Sequence, residues 1–274
     1  MLVDLHMTPK ELTPNALANA AKSAGLHGAV ITDTHRTDRL MAFATELRAL
    51  GLKAYAGVEM TLEKGSIVFI PRDPNGPFAS RNFAPAGLRW VWQDAVSVLE
   101  GLEGVVLAGH PYCRELDSAM VDVVYYLPTL HAIETRVARG RPIWDMMADE
   151  AVDRRNIARV GTCGGDPEFL GRSMTFVEGE QLSQAELVDA LLSRNCWPIE
   201  SEGEGQTRSR EEAFSEGPPR GPRGDDDGDR PRFDGPRGGG DRGPRGGGDR
   251  GPPRGGDRGG EPGGGRGGRP PRRD

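Results

Sequence analysis

Residues 20–33 read AAKSAGLHGAVITD: an alanine-rich helix end, a stop at Gly25, and an apolar run that closes on Asp33. Glycine ends helices because it takes left-handed backbone without a Cβ clash. The run GAVIT at 28–32 has strand length and is bounded by a glycine and a carboxylate, which reads as a buried strand. Helix, short turn and strand in that order predict an α/β protein if the unit repeats.

It repeats in both directions. Upstream, residues 1–6 (MLVDLH) read as a strand. Thr13 and Pro14 follow as N-cap and first helical residue, ahead of Ala16, Leu17, Ala20, Ala21 and Ala24 at helical spacing. Downstream, a helix is expected over 38–50, carrying Leu40, Met41, Phe43, Ala44, Leu47 and Leu50. Strands are expected at 53–59 and 66–70. Residues 71–89, rich in Pro, Gly, Arg and Asn, predict a long irregular loop of the kind that serves function or moves. Then come a helix at 90–101, a strand at 104–109 and a short helix at 117–126. A strand at 131–135, a helix at 142–155, and strands at 157–161 and 173–178 follow. Ser183 and Glu186 form a capping-box pattern that opens the last helix, which leads into 196–200. Such βα repetition implies a mostly parallel sheet, open or closed into a barrel.

Composition sets the limits of this body. Of 40 glycines, 24 lie after residue 200, and no Trp, Tyr or Lys follows Trp197. Apolar residues are concentrated before Glu200, so residues 1–200 form the expected folded domain. Residues 201–274 cannot offset their ordering entropy by burial and read as a disordered tail. Cys113, Cys163 and Cys196 are odd in number and lack metal-type spacing, which argues against a disulfide framework and for a reducing, cytoplasmic setting. The start MLVDLHMTPKEL has no signal-peptide pattern, and no apolar run is long enough to span a membrane.

Ionisable residues close nearly every expected strand: His6, Asp33, Glu59, His110 and Glu134, with Asp166 just after RVGTCGG. Parallel strands in an α/β fold present their C-terminal ends on one side, so these side chains are expected to converge. Imidazole and carboxylate are the ligands of Zn, Mn or Fe, and a cluster of them suits one or more divalent ions. Taken singly, Asp33 equally reads as a turn cap and His6 as a hydrogen-bonded core histidine. The joint pattern is what points to metal. His27 and His131 stand at strand starts, the opposite end, and read as structural. Cys163 reads as a buried, inert thiol. Arg36, Arg114 and Arg172 follow strand ends and are candidates to grip a phosphate.

These residues carry a resemblance. Asp4-Leu5-His6, Ile31-Thr32-Asp33, Gly57-Val58-Glu59, Gly109-His110-Pro111 and Gly164-Gly165-Asp166 resemble, in order and spacing, the motifs of the polymerase-and-histidinol-phosphatase (PHP) family. Residues 20–33 are also similar to the family's AxxxGLxxxxxTD run. The resemblance spans roughly residues 1–200. It implies a distorted (β/α)7 TIM-like barrel, a metal site at the strand C-termini formed by His6, Asp33, Glu59, His110, Glu134 and Asp166, and phosphoester hydrolysis without a protein nucleophile. Thr8 and Thr34 stand where the family has histidines, and Glu168 where its last motif has another. His35 and Glu168 are the expected substitutes, and one or two ions (Mn, Zn, Fe or Mg) are expected rather than three. The implied substrate is a phosphorylated small molecule or a nucleotide. The alternative is a catalytically inactive barrel of the same type that binds without hydrolysing.

The tail suggests a second activity. GPRGGGDR occurs at 235–242 and 243–250, and GPPRGGDR at 251–258. From Arg230 onward, 12 arginines face 6 acidic residues, although the whole chain carries a formal charge of −6. Arginine in an unfolded glycine-rich chain contacts RNA phosphates and stacks on bases, so RNA or a protein is the expected partner. Interleaved Asp234, Asp241, Asp249 and Asp257 leave self-association and simple solubilisation open as well.

Overall fold

A computed structural model describes residues 1–113, 120–138 and 140–201. All of these belong to the first of two units, Met1–Gly221; the second, Pro222–Asp274, lies outside the described residues. The domain edge near residue 200 and the tail therefore stand as sequence expectations.

Ten strands and five helices follow one another: β1 (Leu2–Met7), α1 (Pro14–Ser23), β2 (Gly28–Ile31), α2 (Leu40–Ala49), β3 (Lys53–Ala56), β4 (Val58–Thr61), β5 (Ser66–Pro71), α3 (Trp92–Leu99), β6 (Gly104–Gly109), β7 (Ala132–Val137), α4 (Pro142–Arg155), β8 (Ala158–Thr162), β9 (Ser173–Val177), α5 (Gln184–Leu192) and β10 (Cys196–Glu200). The caps match the local chemistry. Thr13 Oγ1 accepts Ala16 N–H at 3.2 Å ahead of Pro14, and Ser183 with Glu186 makes the full capping box of α5. Gly25 is left-handed at φ 72, as the helix stop requires.

Three expectations need correction. The strand foreseen at 53–59 is two strands, β3 and β4, that belong to different sheets and meet at Gly57. A Cβ there would lie 2.8 Å from Val30 Cγ1, so only glycine lets the chain pass this close to β2. Nor is the sheet mostly parallel. The sheets run β10-β9-β1-β2-β3 and β4-β5-β6-β7-β8. β1–β2, β2–β3, β6–β7 and β7–β8 are parallel, whereas β1–β9, β9–β10, β4–β5 and β5–β6 are antiparallel. The tight β4–β5 hairpin turns at Gly65, φ 85, where no helical crossover intervenes. The helix expected at 117–126 is only a 3₁₀ turn at Val121–Tyr125, with 114–119 outside the described residues.

The two sheets share a core. Val3 and Leu5 of β1, Val68 and Ile70 of β5, Val105 and Leu107 of β6 and Val160 of β8 pack together, closed off by Leu187, Val188 and Leu191 of α5. The sheets also touch at their edges. Gly57 N–H donates to Ile31 O, Thr34 bridges Glu59, and Thr175 Oγ1 takes Gly161 N–H while donating to Gly161 O. The loop at 71–89 is irregular as expected, yet it is anchored by Phe78 and Phe83, both buried. His27 and His131 are structural: their Nδ1 atoms accept Leu2 N–H at 3.1 Å and Val106 N–H at 3.0 Å. No helix among the described residues is long and apolar enough to cross a membrane.

Candidate functional site

Four residues from four chain segments meet where β1, β4, β6 and β7 carry their polar ends. His6 lies on β1, Glu59 on β4, His110 just past β6 and Glu134 on β7. His6 Nδ1 is 2.8 Å from Glu134 Oε1, and His6 Nε2 is 3.4 Å from Glu59 Oε2. The other oxygen of Glu134 accepts His110 N–H at 2.6 Å and lies 3.5 Å from His110 Nδ1. The two imidazoles stack, centroids 5.8 Å apart and planes inclined by 6°. All but Glu59 are buried.

Irregular backbone makes this meeting possible. The β1–β2 ladder shifts register between Asp4 and Met7, and the β7–β8 ladder between Glu134 and Arg136. Such bulges re-aim side chains that strict alternation would send elsewhere. His110 and His35 adopt positive φ, 31 and 60. At this site the chain departs from regular strand geometry in four places.

The electrostatics follow from burial and proximity. Burial opposes charge on Glu134, but His6 and His110 outweigh it and hold the carboxyl well below the usual range. Burial works the same way on Glu59, and His6 again prevails, holding it down at about 2. Burial disfavours the His6 imidazolium, yet Glu134 and Glu59 together raise its pKa well above the ordinary value. His6 Nε2 and His110 Nδ1 nevertheless have no hydrogen-bond partner of good geometry, nor does Ser66 Oγ, opposite Gly109 in the β5–β6 ladder.

The other expected residues have partners of their own or lie outside this cluster. Asp33 accepts the N–H of the next residue, Thr34, at 2.8 Å, and the next helix is capped by Arg39 instead. Asp166 faces Lys10 Nζ at 3.0 Å and accepts Glu168 N–H at 3.2 Å. Glu168 itself is exposed. His35 is half-buried, its N–H bound to Glu59 O at 2.8 Å and its Nδ1 without a partner; burial lowers its pKa, with Glu59 opposing. Arg36 forks onto Asp38 at 3.1 and 2.8 Å, and Arg172 lies over the Phe169 ring at 4.8 Å, so both are engaged locally. Arg114 lies outside the described residues.

Sequence reading passed over Asp4 as a functional residue. It is fully buried and accepts His6 N–H and Cys163 N–H, each at 2.9 Å. Burial pushes its carboxyl up to about 7 despite these amides. A carboxylate inside the apolar run LVDLH was a signal, since an acid is rarely fully buried without a task. Cys163 is the inert thiol expected: its Sγ donates to His6 O at 3.1 Å, and burial first, then Asp4, raises its pKa. All three cysteines are buried.

Neither a protein-family model nor a curated protein matches this sequence. Solved structures do. PsfC of Pseudomonas syringae superposes with a TM-score of 0.53 at 14% identity, over 73% of this chain and 91% of that one. A Bifidobacterium adolescentis protein, provisionally named a metal-dependent phosphoesterase, gives 0.50 at 14% identity over 70% and 96%. An amidohydrolase of Chromobacterium violaceum, solved with sulfate and no metal, gives 0.51 at 14% identity over 71% and 97%. At this identity the likeness is one of fold alone.

Proposed function

We propose that the chain is a metal-dependent phosphoesterase of PHP type, its two sheets forming a distorted barrel, that hydrolyses a small phosphomonoester or a nucleotide. One observation carries this reading: His6, Glu59, His110 and Glu134 converge, and each imidazole has a buried nitrogen that faces a carboxylate without a well-formed hydrogen bond. Buried polar atoms are almost always satisfied, so two adjacent orphans point to a shared ligand. The donor set fits a cation. His6, His110 and Glu134 offer ligand atoms within 4.8 Å of one another, and two imidazoles with a carboxylate suit Zn, Mn or Fe. Asp33 and Asp166 use their carboxylates on neighbours, which favours one ion.

A divalent cation held there would polarise a phosphoryl oxygen and make water nucleophilic at neutral pH. The chain supplies the rest. Besides offering a ligand oxygen, Glu134 holds the His6 ring through Nδ1 and the His110 backbone through its N–H. Asp4 holds the β1 backbone on which His6 is mounted. Glu59, ionised down to about pH 2, stays negative throughout the working range and is too weak a base to take a proton. His35, neutral more readily than a free imidazole and beside Glu59, is the group able to accept a proton at Nδ1.

Metal analysis and p-nitrophenyl phosphate hydrolysis test this directly. Purified full-length protein should retain Mn, Fe or Zn near stoichiometry, and His110→Ala should lose at least tenfold in both metal retention and turnover. A protein that stays metal-free and inactive after loading would reject the enzyme. The same site favours a second reading in one respect: its carboxylates are already neutralised by imidazoles without any metal. On that reading the barrel only binds, and the tail recruits RNA. Deleting residues 201–274 should then abolish salt-sensitive RNA retention.

A further inference from the structure

A cavity of about 610 Å³ opens at the strand-start end of the fold, the end opposite His6. Its walls come from the end of α2 and the turn into β3 (Arg48, Gly51, Lys53), from the entry to α5 (Leu182, Gln184) and from Asn75 in the loop after β5. Strand register places it there. Lys53 opens β3, Val177 at the end of β9 donates its N–H to Met1 O, and Pro71 at the end of β5 lies opposite Gly104 at the start of β6.

Three cations stand around this opening. Lys22 Nζ donates to Leu50 O at 2.6 Å and lies 3.8 Å from where a Cβ on Gly51 would be. Arg48 Nε donates to Ala54 O at 2.9 Å, which orients the guanidinium and leaves its two outer nitrogens without an acceptor among the described residues. Lys53 is half-buried. The acid that it senses, Glu186, has its Oε2 on the N–H and the hydroxyl of Ser183, each at 2.7 Å. Arg36, Arg72, Arg136, Arg154 and Arg159 each meet a carboxylate in this net-negative chain, whereas Arg48 and Lys53 form no ion pair among the described residues. The other polar groups of the wall are engaged within the chain. Thr45 donates to Met41 O, Tyr55 to Leu182 O, and Gln184 to Ala56 O and Pro71 O. Arg48, Lys53 and Asn75 are therefore left to meet a ligand, beside apolar surface from Met41, Leu52 and Leu182.

We propose that this cavity binds a nucleotide, with its phosphates on Arg48 and Lys53, Lys22 at the rim, and its base against Met41, Leu52 and Leu182. The volume is that of a small-molecule site, and such sites combine apolar walls with a few placed polar groups. A guanidinium anchored at one nitrogen presents the other two as a planar fork, the geometry that phosphate oxygens accept. A wholly apolar occupant would bury two cations unpaired, at a large cost. A bare inorganic anion would leave the apolar wall wet. Asn75 adds a donor and an acceptor, which the edge of a base can use and a hydrocarbon chain cannot. The wall carries no His, Cys, Asp or Glu, so the nucleotide is held there and not hydrolysed. The inference is independent of any metal at the His6 centre.

Calorimetric titration of the full-length protein with ADP, in EDTA so that no metal serves the His6 centre, tests the assignment. Wild type should bind ADP saturably. Arg48→Gln/Lys53→Gln should weaken binding about tenfold or more, because two charge-assisted contacts are lost. Thr45→Trp fills the cavity from an exposed helix position without altering charge, and should weaken binding as much. His110→Ala should bind as wild type does. Pyrophosphate and adenosine each carry half of the ligand, and both should bind about tenfold or more weakly than ADP. Absence of saturable binding in wild type, or unchanged affinity in either cavity variant, would overturn the site. Loss of binding in His110→Ala would move the nucleotide to the opposite end of the strands. Pyrophosphate as tight as ADP would remove the base from the cavity and overturn the nucleotide assignment.

Discussion

The two ends of the strands use histidine in opposite ways. At the starts, His27 and His131 each accept a backbone N–H from a neighbouring strand through Nδ1. At the other end, His6 and His110 each keep a buried nitrogen without a partner while crowding around Glu134. Burial separates the two kinds, His27 exposed and His131 half-buried against buried His6 and His110. Hydrogen-bond accounting separates them as well. The nitrogens of His27 and His131 complete backbone ladders, whereas His6 and His110 each keep a nitrogen that faces a carboxylate without a well-formed hydrogen bond.

The contrast can be broken most forcefully at Glu134. Glu134→Ala removes the partner of two buried groups, and losing one member of a buried charged set costs about 3–5 kcal/mol. Urea denaturation should show that loss, and an unshifted midpoint would mean that Glu134 does not tie the site together. His131→Ala should cost less, about 1–2 kcal/mol, because it strands only Val106 N–H. It should leave metal content untouched, which is the sharpest separation from His110→Ala. His27→Ala, whose hydrogen bond is exposed, should cost about 0.5 kcal/mol or less.

The smallest expected effect is in pH dependence. Burial first, then Arg155, lowers the His131 pKa below its ordinary 6.5. The unfolded chain therefore binds the proton more readily, and stability rises with pH up to about 6.5 and levels off above it. Melting temperatures from pH 8 to 5 should fall more steeply in wild type than in His131→Ala. Parallel slopes would remove His131 as the source.

Much of this arrangement was legible in the residues. The helix-stop-strand pattern of 20–33 located α1 and β2, and the polar residue closing each strand located His6, Glu59, His110 and Glu134. Periodicity could not show that Gly57 splits one apolar run between two sheets, because the reason is the approach of Val30 from a distant strand. Strand direction was equally hidden: β5 lies antiparallel to β6, although a long loop and α3 intervene. At the site, chain order predicted which groups assemble but not which are already engaged. Lys10 is a single charge in a turn, and only folding brings it to Asp166, 156 positions later in the chain. Asp33 stayed ambiguous for the converse reason, since its hydrogen bond with Thr34 is purely local.

His35 and His110 both sit on backbone that every residue but glycine enters at a cost. That cost is of order 1 kcal/mol each, and the surrounding packing must sustain it. Any loosening lets these two positions relax toward ordinary dihedrals before the ladders part. On warming, the imidazoles should therefore drift out of alignment while the sheets are still whole, and the activity proposed for this site should fade ahead of the melt.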